Sequence, residues 1–205
     1  MFFEMSQLSE RDKYRMLTSC IVPRPIAWVS TMDRNGVLNA APFSFFTGVS
    51  IEPPLVLFAV ERRHGQKKDT LVNIEATGEF VVNVVTESTV QAMNETSRDF
   101  LPEEDEFALA GLTPMPSVHV RVPAIQESPI HLECVLRDIH EVGSSPHALV
   151  IGEVVGVRVQ DTFIRDGRVD MAKLQAVGRM GGKYYTRASA QMFTLDRLDW
   201  RKTEI

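Results

Sequence analysis

The stretch RPIAWVSTMDRNGVLNAAPFSFF, residues 24–46, carries the strongest structural signal in this sequence. Residues 26–31 are mostly β-branched or aromatic, which is typical of a β-strand. Asp33-Arg34-Asn35-Gly36 follows, and Asn and Gly accept left-handed backbone at low cost. The sequence therefore predicts two apolar strands joined by a tight hairpin turn.

The second strand of this hairpin runs into Asn39-Ala40-Ala41-Pro42-Phe43-Ser44, whose composition is unusual for a strand. The two alanines would let another molecule approach the backbone closely, and Pro42, which lacks an N–H, predicts an interruption of the ladder. Asn39 and Ser44 place short polar side chains beside large aromatic ones. Such a mixture suits a ligand with a flat apolar ring and a polar tail.

Further segments, in order along the chain, complete a pattern that resembles the flavin reductase-like family of FMN-binding split barrels. The matching residues are Arg24-Pro25-Ile26-Ala27, Val29-Ser30-Thr31, Gly36, 39–46, Pro53-Pro54-Leu55-Val56, Lys68-Asp69-Thr70, Asn73-Ile74, 78–83, Ile151-Gly152-Glu153-Val154 and 178–185. The resemblance covers most of the chain. It implies a single domain over residues 1–205, folded as a Greek-key-like antiparallel split β-barrel that binds FMN.

Periodicity in the rest of the chain predicts a mainly β domain with peripheral helices. Strands are predicted at residues 25–32, 37–46, 55–60, 80–85, 118–122, 130–140 and 147–159. Helices are predicted after Ser9, at 70–76 and at 86–97, while residues 47–54 are predicted as a loop and residues 101–110 as an exposed acidic excursion. Many antiparallel strands with few helices favour a closed or partly closed barrel, in agreement with the resemblance.

The ends and faces of two predicted helices follow from single residues. In the first helix, Tyr14, Met16 and Leu17 are expected to face inward. Asp69 is predicted to cap the helix over residues 70–76, and Gly78 to end it.

Composition excludes several classes of protein. A chain of 205 residues with 44% hydrophobic and 24% charged residues is ordinary for a globular domain. Its net charge of −5 argues against a nucleic-acid binder, which needs a basic surface. The N-terminus lacks the pattern of a signal peptide, and no apolar run approaches the roughly 20 residues that span a bilayer. Cys20 and Cys134 are expected to be free thiols in a reducing, cytoplasmic location.

Local chemistry and the resemblance together single out candidate flavin contacts around the second strand. Asn39 and Ser44, with the backbone at Ala40 and Ala41, offer donors and acceptors for the pyrimidine edge of the ring. The alternative is that both side chains bond local backbone at a strand end. Phe45 is interpreted as packing either on the flavin ring or in the core.

The first strand supplies three further candidates. The hydroxyls of Ser30 and Thr31 either bond the phosphate or ribityl oxygens of a flavin or face water at a strand edge. Trp28 lies on the same face as Ser30, two residues away. It is interpreted either as a neighbour of the isoalloxazine ring or as a core residue.

Lys67-Lys68-Asp69-Thr70 joins two cations to a predicted helix start, where free N–H groups favour an anion. Lys68 and the Thr70 hydroxyl are therefore predicted to hold a phosphate. The resemblance implies that this Lys-Asp-Thr segment, Asp69 included, lies beside the flavin. The alternative is a solvated loop in which Asp69 only caps the helix.

No catalytic or metal-binding constellation is expected from the spacing of the remaining residues. The five histidines, His64 among them, lack ligand spacing, and no Ser-His-Asp assignment follows. The glycine-rich residues 178–185 do not form a dinucleotide fingerprint. His147 either approaches the flavin or has a structural role, and Tyr184 and Tyr185 either line the cofactor or nicotinamide site or anchor their loop.

Three functions are compatible with these observations. The foremost is an FMN-dependent oxidoreductase, an NAD(P)H:flavin oxidoreductase in which hydride passes through N5 of the flavin, so that no acid–base dyad is required. Reduced flavin would then serve a partner oxygenase or another redox acceptor. The alternatives are an electron-transfer flavoprotein of the flavoredoxin type and a non-enzymatic flavin-binding module. The resemblance also implies a homodimer with FMN between the subunits.

Overall fold

A curled antiparallel sheet forms the body of the protein. The computed structural model describes residues 1–62, 65–144 and 146–196, and within those residues seven strands make up this sheet. In chain order, the strands are β1 (Ala27–Met32), β2 (Leu38–Phe43), β3 (Phe46–Ile51), β4 (Pro54–Glu61), β5 (Glu79–Val84), β6 (Pro114–Met115), β7 (Ala124–Ile125), β8 (Ile130–Val142), β9 (His147–Val159), β10 (Ile164–Arg165), β11 (Arg168–Val169), β12 (Val177–Arg179) and β13 (Tyr185–Arg187). The α-helices are α1 (Glu10–Cys20), α2 (Asp69–Thr77), α3 (Val90–Glu95), α4 (Glu106–Leu109) and α5 (Met171–Leu174), with 3₁₀ turns at Met5–Gln7 and Asp161–Phe163.

The order of the strands shows where the barrel is split. Neighbours in the main sheet follow the order β2-β1-β5-β8-β9-β4-β3. β2 and β3 are consecutive in sequence but lie at opposite ends of this order, with Ser44 and Phe45 between them. The sheet therefore curls back on itself at this β2–β3 corner, which confirms the predicted antiparallel split barrel.

The predicted hairpin between β1 and β2 is confirmed. Oδ1 of Asp33 accepts hydrogen bonds from the backbone N–H groups of Asn35 (2.8 Å) and Val37 (2.7 Å), and Gly36 has a φ of +92°. The bond from Val37 is the main cause that lowers the pKa of Asp33. The ladder continues past Pro42 to the end of β2, so the predicted interruption at Pro42 is wrong.

Residues 47–54, predicted as a loop, form most of β3 and the turn into β4. Among the strands that the structure describes, β3 pairs only with β4, and its register shifts between Gly48 and Ser50. An edge strand that is paired on one side and exposed on the other needs no strict apolar alternation, and it tolerates glycine at a bulge. The glycine and prolines in residues 47–54 therefore belong to an edge strand and its turn and not to a loop.

Residues 118–122, predicted as a strand, form a bent loop without ladder pairing. The buried carboxylate of Glu133 accepts hydrogen bonds from the backbone N–H groups of Val118 (2.9 Å) and His119 (2.6 Å). A side chain thus satisfies the donors that a neighbouring strand would otherwise take.

Helix α1 begins where predicted but faces differently. Oγ of Ser9 accepts a hydrogen bond from a backbone N–H of the first turn (3.1 Å). The prediction that the apolar residues face inward is wrong for Tyr14 and Leu17, which are 55% and 45% exposed, whereas Met16 is half-buried and Thr18 is buried. Tyr14 and Leu17 are therefore left largely uncovered by the part of the chain that the structure describes.

Helix α2 begins one residue earlier than predicted. Lys68 occupies the N-cap position without a side-chain hydrogen bond, and Asp69 is the first helical residue, so the predicted cap at Asp69 is wrong. Gly78 ends the helix in left-handed conformation, as predicted. Residues 101–110, expected to be exposed, contain α4, in which Glu106 and Phe107 are buried because Phe107 packs in the cluster around Trp28.

The main core fills the barrel with aromatic rings. The ring of Phe58 lies 5.2 Å from that of Phe43 and 5.4 Å from that of Phe80, measured between centroids. Gly152 of β9 faces Phe80, and a Cβ atom at this position would lie 2.3 Å from Cζ of Phe80. The two cysteines are unpaired, as predicted.

Candidate functional site

A cleft opens at the β2–β3 corner and contains about 820 Å³ of space, including the part open to solvent at its mouth. Phe43 and Phe45, together with Ile26, supply an apolar wall. Phe43 is nearly buried, whereas Phe45 is half-buried and its carbonyl accepts a hydrogen bond from the backbone N–H of Ala59 (2.9 Å). This bond fixes the corner to β4, so the wall is rigidly attached to the barrel.

Ser44 contributes a hydroxyl to the cleft, and Arg24 holds it from behind. Nε of the buried Arg24 lies 3.4 Å from Oγ of Ser44. The same guanidinium donates through Nη1 to the carbonyls of Thr18 (2.5 Å) and Ile21 (2.6 Å), and through Nη2 to that of Met180 (3.0 Å). Arg24 was not among the candidate site residues, although it lies in a matching segment between two prolines.

Lys68 places a cation on the cleft at the start of α2. Its Nζ lies 3.4 Å from Oε1 of Glu61 and 5.7 Å from the centroid of the Phe43 ring. The pair with Glu61 is partly exposed, so this carboxylate neutralises Lys68 only weakly. The ammonium group of Lys68 is therefore available to pair with an anionic ligand in the cleft.

Arg179 places a second cation on the cleft. The guanidinium of Arg179 lies 4.5 Å from the centroid of the Tyr185 ring, and its Nη2 donates to the carbonyl of Gly182 (2.7 Å). His147 also lines the cleft, as Tyr185 does, whereas Tyr184 lies outside it and is exposed. Arg179 was missed as a candidate, although the matching residues 178–185 contain it.

Helix α3 and the residues just after it line the cleft with Met93, Asn94 and Ser97. Oγ of Ser97 donates to the carbonyl of Asn94 (2.6 Å). No local signal in the sequence distinguished these side chains from those of an ordinary surface helix.

Of the candidate flavin contacts, Ser44, Phe45 and Lys68 line the cleft. Trp28 is completely buried, and its Nε1 donates to Oγ1 of Thr96 (2.9 Å), which agrees with its interpretation as a core residue. Ser30 is also buried, and its hydroxyl donates to the carbonyl of Pro123 (2.8 Å). The alternative in which the hydroxyl of Ser30 faces water is therefore wrong.

The hydroxyls of Thr31 and Thr70 lie inside the protein, where both donate to Oδ1 of Asn39, over 3.1 and 2.9 Å. Nδ2 of Asn39 in turn donates to the carboxylate of Glu106 (2.5 Å), which also accepts from the backbone N–H of Ala40 (3.0 Å). The structure thus brings Thr31, Asn39, Ala40 and Thr70 together, but they bond to one another and to Glu106 and do not line the cleft.

The two remaining candidates are partly buried. Ala41 packs against the main core, and Asp69 opens α2, where burial raises the pKa of its carboxyl. Asp69 does not line the cleft beside Lys68 but lies on a small cavity next to Glu106.

In the part of the chain that the structure describes, no group of three or more His, Cys, Asp or Glu residues is placed to hold a metal ion, and His64 lies outside those residues. Among the helices of the same residues, none combines the length and apolar character needed to cross a membrane.

Known proteins match the chain over most of its length. The family model described as the flavin reductase like domain matches residues 18–170. Nitrilotriacetate monooxygenase component B from Bacillus cereus is 38% identical with a TM-score of 0.91, and the match covers 95% of this chain and 98% of that one. For 2-nitrobenzoate 2-nitroreductase NbaA from Pseudomonas fluorescens the identity is 34% and the TM-score 0.89, with 98% of each chain covered.

A third solved structure, the flavoredoxin of Desulfovibrio vulgaris (Miyazaki F), is 25% identical with a TM-score of 0.76, covering 89% of this chain and 94% of that one. The family match spans β1 to β11, including the strands that form the β2–β3 corner. It confirms the resemblance seen in residues 24–83. The chain belongs to the flavin reductase-like domain family.

Proposed function

We propose that this protein is an FMN-binding NAD(P)H:flavin oxidoreductase. One observation carries the proposal: an apolar aromatic wall, a hydroxyl held by a buried arginine and two cations meet in one cleft. These are the groups that a flavin nucleotide requires, because its ring is flat and apolar while its tail ends in a phosphate. A bound flavin would supply hydride transfer at N5, and the chain's own residues would bind and orient it.

Within this proposal, Phe45 and Ile26 cover one face of the ring. Ser44 presents its Oγ to the polar edge of the ring, in an orientation that Arg24 fixes. Because Arg24 also spans three backbone carbonyls, this hydroxyl is preorganised and needs little ordering when the ligand binds.

Lys68 is the proposed partner of the phosphate, and FMN is therefore proposed in preference to a flavin without one. The free N–H groups at the start of α2 add to the attraction of this region for an anion. Thr70, by contrast, is occupied by Asn39, so its predicted role as a phosphate donor is replaced in the proposal by a role in placing α2.

A homodimer is part of the proposal. Tyr14, Leu17 and Ile21 leave apolar surface exposed on and just after α1, and Tyr14 also lines the cleft. A second copy that covered this face would lie at the mouth of the cleft and exclude water from the flavin. Sedimentation equilibrium should give twice the chain mass, and a monomer at high concentration would contradict this part of the proposal.

The proposed electron acceptor is an oxygenase or another redox protein that receives reduced flavin or its electrons. Support comes from the likeness to nitrilotriacetate monooxygenase component B, which is named as one component of a monooxygenase. The likeness to a flavoredoxin favours a second candidate, an electron carrier that keeps its FMN. Gel filtration separates the two, because a carrier retains flavin and a reductase that uses flavin as substrate releases it.

Anaerobic reduction tests the main proposal. Purified protein mixed with FMN and either NADH or NADPH should bleach the visible absorbance of the flavin much faster than the same mixture without protein. If neither donor bleaches the flavin, the protein is not a reductase of this kind. Failure to quench FMN fluorescence on titration would further favour a non-enzymatic module with another ligand.

A further inference from the structure

The carboxylate of Glu106 is buried against an edge of the barrel. Only 6% of the residue is exposed, although it lies in the acidic residues 103–106. Its Oε2 accepts the backbone N–H of Ala40 (3.0 Å) and its Oε1 accepts Nδ2 of Asn39 (2.5 Å). Since β2 pairs on one side with β1, Glu106 satisfies a donor on the free side of this strand.

The hydrogen bonds continue from Asn39 into the first turn of α2. Oδ1 of Asn39 accepts from the hydroxyl of Thr70 (2.9 Å) and from that of Thr31 (3.1 Å), which itself accepts from Nδ2 of Asn73 (3.1 Å). All of these side chains are buried. These bonds form one network that connects β1, β2, α2 and α4.

This network adjoins the two segments that bring Ser44 and Lys68 to the cleft. Asn39 and Ala40 lie on β2, which leads directly into Ser44, and Thr70 follows Lys68 by two residues. We propose that Glu106 is a positioning residue that holds β2 and the start of α2 together, so that Ser44 and Lys68 face one ligand. This inference rests on the proposed flavin site and assigns it a residue that does not touch the cleft.

Protonation of Glu106 changes this connection. The ionised carboxylate accepts two hydrogen bonds, whereas a proton on either oxygen makes that oxygen a donor and weakens it as an acceptor. The pKa of Glu106 is raised to about 7, mainly by burial and also by the charges of Asp69 on α2 and of Asp105 just before α4, against the effect of its two donors. Asp33 and Glu104 also line the small cavity beside Glu106. The positioning should therefore weaken as pH falls through neutrality.

Flavin affinity as a function of pH tests the proposal. The dissociation constant of FMN should be measured for the wild type and for Glu106→Gln between about pH 5.5 and 8.5, a range centred near the raised pKa of the carboxyl. The dissociation constant of the variant divided by that of the wild type should rise from near 1 at low pH to roughly fivefold to tenfold at high pH. The reason is that the variant lacks one charge-assisted hydrogen bond that the ionised wild type makes. Taking the ratio cancels the ionisation of the FMN phosphate, which is common to both proteins.

Matched variants separate positioning from general stability. Glu103→Gln removes an exposed charge from the same segment and should leave the ratio at 1. Thr70→Val should weaken FMN more than riboflavin because Lys68 is displaced, and Thr70→Ser, which keeps the hydroxyl, should restore FMN affinity.

Hydrogen exchange gives a readout without flavin. In Glu106→Gln, the amide of Ala40 should exchange faster than in the wild type at high pH and equally fast at low pH. A ratio of FMN constants that is independent of pH, or unchanged exchange at Ala40, would overturn the positioning role while leaving the flavin site intact. A wild-type protein that binds no flavin would overturn both.

Discussion

Arg24 and Ser44 are twenty residues apart and meet behind the cleft, with Nε of the arginine 3.4 Å from Oγ of the serine. The remaining donors of Arg24 hold the carbonyls of Thr18 and Ile21 at the end of α1 and of Met180 in the loop between β12 and β13. One planar guanidinium therefore joins the end of α1 and the β12–β13 loop to the β2–β3 corner. A lysine cannot reproduce this fork of donors.

Arg24→Lys is accordingly expected to lower the free energy of unfolding by about 1–3 kcal/mol, because buried carbonyls lose their donors. Urea denaturation followed by circular dichroism measures this loss. Arg15→Lys is the control, since Arg15 is exposed and pairs with Asp12 on the surface of α1. Equal stabilities of the two variants would show that Arg24 does not hold these segments.

Ser44→Ala isolates the hydroxyl that faces the cleft. If Ser44 is a buried ligand partner in the complex, FMN and riboflavin should both bind more weakly by about 1–2 kcal/mol, because each presents the same ring to it. Isothermal titration measures both constants. An unchanged affinity would leave Ser44 only as an acceptor for Arg24.

Lys68→Ala should weaken FMN roughly tenfold and leave riboflavin nearly unchanged, since only FMN carries the phosphate that the cation would attract. Lys67→Ala is the matched control. It removes an equal charge one residue away, but Nζ of Lys67 is paired with Glu75 (2.6 Å) on the outer side of α2. Equal losses for the two flavins in Lys68→Ala would contradict the phosphate role.

The difference between what could and could not be predicted from the sequence is clearest in the polar residues near the site. The β1–β2 hairpin and the end of α2 at Gly78 were predictable, because Asp33, Gly36 and Gly78 act on their immediate neighbours. The hydrogen bond from Asn39 to Glu106 could not be predicted, because the two residues are 67 positions apart and the composition around Glu106 indicated an exposed segment.

The same limit applied to the cations. Lys68 was recognisable because it begins a predicted helix. Arg24 meets Met180 across 156 residues, and Arg179 reaches the cleft only because its hairpin is bonded to the backbone of Arg24. Side chains that depend on such contacts have no local pattern that distinguishes a ligand contact from a surface charge.

The two thiols should differ sharply in reactivity. Cys20 is exposed, whereas Cys134 is completely buried in the barrel and burial raises the pKa of its thiol well above the usual value. An aromatic disulfide reagent releases one coloured thiolate for each protein thiol that it modifies. It should therefore count one reactive thiol in the native protein at pH 8 and two in denaturant. Two fast-reacting thiols in the native state would show that the barrel opens around β8.

Glu106 gives the protein a pH dependence of stability whose sign follows from burial. The pKa of this carboxyl is raised from 4.5 to about 7, so the folded chain favours its neutral form. Its favourable effect on folding is complete below the unfolded pKa and is lost as pH rises through the folded value, by up to about 3 kcal/mol. Glu106→Gln stays neutral, so its free energy of unfolding relative to wild type should increase by this amount between roughly pH 4.5 and 8.

Urea denaturation of both proteins across this range measures the difference, with the exposed Glu103→Gln as a control that should show no slope. The expected trend of stability is opposite to that of flavin affinity, which should improve in the wild type as Glu106 ionises. The two slopes together separate a positioning carboxylate from a simple buried acid, because an acid without a role in the cleft would change stability alone. A variant whose relative stability is the same at every pH would show that the folded state does not favour neutral Glu106.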